Sequence, residues 1–349
     1  MPNILWYIII VSMGLLLLLF TFWRRRPLAD LLCFFLASAA VAYLLEVIVL
    51  FAFGSYHYKP GIFSEPVAED IFGHLICNGL FWGGFIMLVS AFSLRFYWSA
   101  LIAVFFMLVE EFFRRRGIYV QYWWRTHITG IGAFVVLEAM KRWYAKLKAR
   151  KNAAWRFAAF CSVAWLLLVA PPIILLLAGK QHCGIGLSRN YYLDDIFTEV
   201  PYCLLLSFPT ALCIAARKKT WWKAIPFAAI LCGDILLNRF GILTFKGGWN
   251  LFYLMEVRAV CLLFYIALEK HSFSARSVRQ DESPRSFAGI DRPLPDEGER
   301  QPQVHGQGRD VVHEMRDGVE PHEPEGARPA VEKPEQRGDH RHRENCDEL

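Results

Sequence analysis

Nine apolar stretches, separated by short runs rich in charge, Gly, Pro or aromatic residues, order this sequence. They cover residues 4–23, 29–53, 70–94, 97–113, 127–140, 157–178, 195–215, 222–240 and 250–268. An α-helix rises about 1.5 Å per residue, so roughly 20 apolar residues cross a hydrocarbon core of ~30 Å. No water reaches the backbone there, and a helix bonds its own N–H and C=O groups. The pattern predicts an all-α integral membrane protein with about nine transmembrane helices, the sixth kinked at Pro171 and Pro172.

Charge between the stretches sets the expected orientation. Arg24, Arg25 and Arg26 follow the first helix, Arg95 follows the third, and seven Lys and Arg with no acid fall in residues 141–156. Arg217, Lys218, Lys219 and Lys223 lie around the start of the eighth, and Lys270 follows the ninth. Cytoplasmic loops collect Lys and Arg. This places the N-terminus outside and the C-terminus in the cytoplasm of a multi-pass protein of the cell membrane. Arg114, Arg115, Arg116 and Arg125 fall on the outer side, against the bias. The first stretch has its basic residues after it rather than before it, the reverse of a cleavable signal, and is read as a spanning helix.

The end of the fourth stretch recurs at the end of the eighth. Glu110, Arg115 and Gly117-Ile118 match Asp234, Arg239 and Gly241-Ile242 at a constant offset of 124 residues, which Trp98 and Trp222 share. A tandem duplication explains the spacing, with a leading helix in 1–27, a first four-helix repeat in 28–150 and a second in 151–271. An even number of spans inserts both copies the same way round, so the repeats are expected to be parallel. Gly117 and Gly241 suit left-handed helix caps, and Tyr119, Tyr122, Trp123 and Trp124 suit an interfacial aromatic belt. Residues 272–349, rich in Pro, Gly, Glu, Arg and His, read as a disordered acidic cytoplasmic tail that could bind a cytoplasmic protein.

The Glu, aromatic, Gly-Ile-Tyr and Tyr-Trp-Trp pattern of residues 110–124 resembles a family of small uncharacterised multi-spanning membrane proteins of Gram-positive bacteria, which look like single copies of one four- or five-helix unit. Residues 234–249 form a degraded copy, with Leu243 in the place of Tyr119 and Trp249 in that of the paired Trp. The resemblance implies an architecture and brings no activity with it.

Composition narrows the class further. The chain of 349 residues is 55% hydrophobic, too apolar for one soluble domain of this length. Its net charge of +6 divides into a basic body, with 26 Lys and Arg against 14 Asp and Glu in 1–271, and a tail with 12 against 18. The nine Cys lie mostly in apolar runs without CxxC or Cys/His metal spacing, which suits small core residues, and no metal or cofactor is assigned. Neither a phosphate loop nor a nucleophile elbow, HExxH or nucleic-acid motif is present. The expected partners are the lipid bilayer and a small solute, ion or lipid, with no nucleic acid.

Chemistry then falls to ionisable residues inside the spans, which cost ~2.5–3.5 kcal/mol each near a helix centre and are functional hypotheses by default. Glu46, Glu110, Asp234 and Glu256 lie in the outer half and are the candidate pocket acids. Asp70 with His74, and Asp195 with Glu199, are spaced i, i+4 on one helix face, and are candidates for the pocket mouth. They suit either a shared metal or proton site or helix-start residues satisfied locally; without a third ligand they complete no metal site. Glu110 reads either as a buried acid or as an ion pair with Arg114. Arg115, Arg239 and Arg258 are candidate anion contacts, with snorkelling to lipid phosphates the alternative for the first two. The expected function is binding or transport of a small solute or ion in one outward-facing acidic pocket. A membrane enzyme using a buried acid on a lipid or isoprenoid is the alternative, and a sensor or scaffold acting through the tail is a third.

Overall fold

The computed structural model describes residues 2–149, 152–215 and 220–273. The expectations for the tail from residue 274 onward and for the basic residues 217–219 lie outside the described residues. The first helix, α1 (Asn3–Arg24), is followed by α2 (Leu28–Glu46), which runs into a π-helical segment, Val47–Ala52. Strand β1 (Tyr56–Tyr58) precedes α3 (Pro66–Ile76), a second π-helical segment (Cys77–Trp82) and α4 (Gly83–Ala91) as one continuous rod. Next come α5 (Phe96–Arg115), β2 (Tyr119–Gln121) and α6 (Thr126–Ala149). The second half holds α7 (Ala153–Leu177), β3 (Gln181–Cys183), α8 (Tyr191–Ala215), a 3-10 turn (Thr220–Ala224), α9 (Ile225–Arg239), β4 (Leu243–Phe245) and α10 (Leu251–His271).

Among the described residues seven helical stretches are long and apolar enough to cross a membrane, and on that ground the protein is a multi-pass helical membrane protein. The two expected spans outside this set are α6 and α9. Helix α9 has 15 residues, about 22 Å at 1.5 Å per residue. Helix α6 is longer but carries Glu138, Lys141, Arg142, Lys146 and Lys148, which leave its apolar part equally short. Helix α7 continues through Pro171 and Pro172 without a break in its helical assignment.

The sequence pattern did not predict strands, because three residues are too few to show an alternation. β1 pairs antiparallel with β2, Tyr56 opposite Gln121 and Tyr58 opposite Tyr119. β3 pairs with β4 in the same register, Gln181 opposite Phe245 and Cys183 opposite Leu243. Each pair is entered through a left-handed glycine, Gly117 at φ +73° and Gly241 at φ +70°. There Ile118 N–H bonds the Phe113 carbonyl at 3.1 Å and Ile242 N–H bonds that of Leu237 at 3.0 Å, which closes the last turns of α5 and α9.

The loops ahead of α3 and α8 are tied alike. Glu69 accepts from the backbone N–H of Gly61, Ile62 and Phe63 at 2.5–2.6 Å. Asp194 accepts from Gly186, Leu187 and Ser188 at 2.6–3.3 Å. Both carboxylates stand in the first turn of their helix, where the macrodipole favours a negative charge. The two loops meet where Asn190 Nδ2 donates to Glu65 Oε1 at 2.8 Å, and below them α2 packs on α7. At the opposite end Ser272 Oγ donates to the Ala29 carbonyl at 2.9 Å and Phe273 N–H to the Asp30 carboxylate. These first two residues of the expected disordered tail are therefore held by α2, a correction that follows from the buried acid at its start.

Helix α1 lies against the π-helical segment and α4. A Cβ on Gly14 would collide with the Leu80 carbonyl, and one on Gly84 with the Gly14 carbonyl, so the two backbones touch without side chains between them. Replacing Gly14 by Leu should prise α1 away and cost about 1–3 kcal/mol, read as a lower melting temperature of the purified protein. An unchanged melting temperature would mean that this contact is not made.

Candidate functional site

A cavity of about 320 Å³ opens within the first half. Its walls come from α1, α2, both π-helical segments, α5, the β1–β2 pair and α6. π-Helical turns widen a helix and expose carbonyls and side chains at new angles. Here Val49, Cys77, Asn78, Phe81 and Trp82 project from them into the cavity. The remaining wall is largely aromatic and aliphatic, with Tyr7, Phe106, Phe113, Tyr119 and Trp124 among the rings.

Two carboxylates interrupt that wall. Glu46 Oε1 accepts hydrogen bonds from the hydroxyls of Tyr56 at 2.7 Å and Tyr58 at 2.6 Å. Its Oε2 lies 3.3 Å from His74 Nδ1, which in turn is 2.9 Å from the side-chain nitrogen of Asn78. Bare, that ring nitrogen accepts from the amide; protonated, it donates to Glu46. Burial first, and the nearby Glu46 charge second, push the phenols of Tyr56 and Tyr58 well above their usual range, so both stay protonated and donate. Tyr119, whose ring packs against both, is raised by burial first and by the Glu110 charge second.

Glu110 has a different shell. It accepts from the Gln121 amide and the Thr129 hydroxyl, and Trp124 Nε1 donates to that hydroxyl at 2.7 Å. Among the described residues no Lys, Arg or His is ion-paired with Glu110. Its neighbour Glu111 takes both Arg114 and Arg115 at 2.8 Å on the exposed side of α5, so the Glu110–Arg114 alternative is replaced by a pair one residue along. Successive helical residues point about 100° apart, and that rotation separates the wet pair from the buried acid.

The second half builds a closed cluster instead. Arg258 reaches Glu199 at 2.8 Å and Asp234 at 3.1 Å, and all three side chains are fully buried. Tyr202 OH donates to Asp234 at 2.8 Å and Cys203 Sγ to Glu199 at 3.2 Å. The Arg258 guanidinium also stands 5.8 Å from the Tyr202 ring centre. Above each site a His–Asp pair pins a strand to the next helix. His57 meets Asp70 at 2.8 Å, with Tyr58 N–H on the same oxygen at 2.7 Å. His182 lies 3.6 Å from Asp195, which accepts from Cys183 N–H at 2.6 Å.

No family model, curated protein or solved structure matches this chain.

The four expected pocket acids thus divide. Glu46 and Glu110 share the cavity, whereas Asp234 is sealed against Arg258, and Glu256, two residues before Arg258 on α10, is turned to the outside. The i, i+4 pairs separate too. Asp70 and Asp195 face back to the strands, while His74 bonds towards Glu46 and Asn78, and Glu199 towards Arg258. A shared metal or proton site across α3 and α8 is not assembled, because each residue has found a nearer partner. Of the three candidate anion contacts, Arg115 is exposed beside Glu111, Arg239 is exposed, and Arg258 is spent on two carboxylates. Tyr122 and Trp123 are exposed as a belt would require, but Tyr119 and Trp124 turn inward to the cavity.

Tyr56, Tyr58, Asn78, Gln121 and Thr129, which surround the two acids, are uncharged and stand in no motif along the chain. The Tyr-His-Tyr alternation in the first outer loop was the one available signal, since both tyrosines fall on the same side of an extended segment.

Replacing Arg258 by Met strands two buried carboxylates and should cost about 3–5 kcal/mol of stability. Combining it with Glu199→Gln and Asp234→Asn should restore most of the loss in a thermal melt. Equal melting of the single and triple variants would show that the cluster is not an ion pair network.

Proposed function

We propose that the first half binds an unsaturated apolar lipid or isoprenoid and moves a proton onto it and off it, as a membrane-embedded enzyme. The observation that carries this reading is one cavity whose wall is largely aromatic and aliphatic and holds two carboxylates on separate hydrogen-bond networks. A hydrated ion or sugar-like solute needs many polar contacts to replace its water, and such a wall offers few. Glu110, which no cation among the described residues neutralises, delivers the proton to a C=C bond. The rings around it stabilise the positive charge that results. Glu46, fixed by Tyr56 and Tyr58 and backed by His74, takes a proton from a neighbouring carbon. One proton enters and one leaves, so the product is an isomer and no oxidant or co-substrate is consumed.

Binding or transport of a small solute or ion, the expectation from sequence, keeps Glu46, Asn78 and His74 in its favour as a polar chain at the cavity wall. The sensor or scaffold reading rests on the tail and lies outside the described residues. We further infer two parallel four-helix repeats behind a leading helix, with α6 and α9 completing nine spans. Equal strand register, matching His–Asp pairs and matching caps support this, and each half would correspond to one of the single-copy bacterial proteins it resembles. Arg25 over the Phe92 ring, Lys141 on the Leu94 carbonyl and Arg156 beside Glu269 gather at one end of the bundle. That grouping supports a cytoplasmic C-terminus, an outer N-terminus and a cell-membrane setting.

Expression in a host with an isoprenoid pool should produce an isomeric lipid absent from vector controls. Glu110→Gln and Glu46→Gln should each lower its yield by roughly 10²–10⁴-fold, while Glu256→Gln, on the exposed face, should not. Lipid profiles identical to the vector control, together with a solute flux in vesicles that Glu46→Gln abolishes, would replace the enzyme by the carrier.

A further inference from the structure

The two halves can be aligned by their bonds rather than by residue similarity. His57–Asp70 answers His182–Asp195, and Glu69 with its three loop amides answers Asp194 with its own, all at an offset of 125 residues. Thr129 N–H bonds the carbonyl of Arg125 at the start of α6 and Leu254 N–H that of Asn250 at the start of α10, again 125 apart. On this register Glu199 stands for His74, Tyr202 for Cys77 and Cys203 for Asn78; Asp234, at the offset of 124 kept by β2 and β4, stands for Glu110. Arg258 stands for Ala133, which lines the cavity.

The second half therefore carries a cation where the first half carries open space. Its guanidinium lies between two carboxylates and near a tyrosine ring and is fully buried. The first half keeps one of these carboxylates as Glu110, has His74 at the other's place with Glu46 3.3 Å from its ring, and has only a methyl group at the arginine's position. A side chain of that size missing from one copy of a frame leaves a hole, and the one in the first half is lined by two carboxylates, Glu46 and Glu110.

Resting on the cavity reading above, we infer that the first half accepts, at the place of Arg258, a delocalised or quaternary cationic centre carried on an apolar body, held between Glu46 and Glu110. The chain's own arginine is the tethered version of that group. The complementarity is electrostatic and aromatic at once: a large, weakly hydrated cation loses little water on entering, gains both carboxylates, and faces rings whose π clouds attract it. A compact ammonium, which keeps its hydration, fits the site less well.

The test uses the full-length protein in neutral-lipid nanodiscs with nonyltrimethylammonium and its uncharged carbon isostere, 2,2-dimethylundecane, as probes. Binding is read as a ligand-dependent rise in melting temperature. The ammonium should bind the wild type on the order of tenfold or more tightly than the isostere, a modest demand for one desolvated cation–π and ion contact. Glu46→Gln with Glu110→Gln should erase that preference, and Glu256→Gln should leave it intact. Ala133→Arg supplies the cation covalently; it should melt no lower than the wild type and should no longer bind the ammonium. Equal affinity for both probes, a preference that survives loss of both acids, or undiminished ammonium binding by Ala133→Arg would each overturn the inference. The readout is binding alone, so absence of a lipid product removes the enzyme reading without touching this one, and a product made without any cation preference does the reverse.

Discussion

A carboxylate buried among apolar helices has to be given donors or a counter-charge, because hydrocarbon supplies neither. Every distinctive feature of this protein is an answer to that constraint. In the first half the answer is neutral and local: tyrosine hydroxyls, an amide and a threonine surround Glu46 and Glu110, with His74 on the far side of Glu46. In the second half it is ionic, with one arginine shared between Glu199 and Asp234. The ionic answer is closed off from solvent. The neutral one leaves a cavity open, and with it the capacity to receive something.

What keeps these shells in place is the outer frame. Short β pairs, left-handed caps and loop amides gathered on Glu69 and Asp194 fix the ends of the helices, so that residues far apart in the chain meet at fixed distances. The π-helical segments belong to the same economy of space. They occur beside Glu46 and around Asn78, on two faces of the cavity, while the corresponding helices of the second half, α7 and α8, stay α-helical through their prolines. Helix α1 adds a wall that the second half has no counterpart for, pressed in through Gly14 and carrying Tyr7 to the Ile118 carbonyl at 2.7 Å.

The functional proposals follow from that asymmetry. A carboxylate that must stay ionised in an apolar setting benefits from donors that do not themselves lose a proton, and the raised phenols of Tyr56 and Tyr58 meet that need at Glu46. A site meant only to stabilise the fold is better closed, as the Arg258 cluster is.

Periodicity and charge alone fixed the helices, because burial in lipid demands long apolar segments whatever lies beside them, and the ends of nearly every helix fall within a few residues of the apolar limits. The acid at Glu110, the caps at Gly117 and Gly241 and the 124-residue spacing were legible for the same local reason. Which acids meet was not. Glu256 and Arg258 are two residues apart, yet one is exposed and the other sealed, since only the rotation of α10 against α8 and α9 decides which of them faces Glu199 and Asp234. Likewise β1 meets β2 across some sixty residues of chain, a contact that no window along the sequence contains, and it is this pairing that brings Tyr56 and Tyr58 to Glu46. Helices are determined by each residue's transfer from water; a cavity is determined by which residues fail to fill the space between them, and that is settled only when the helices have packed.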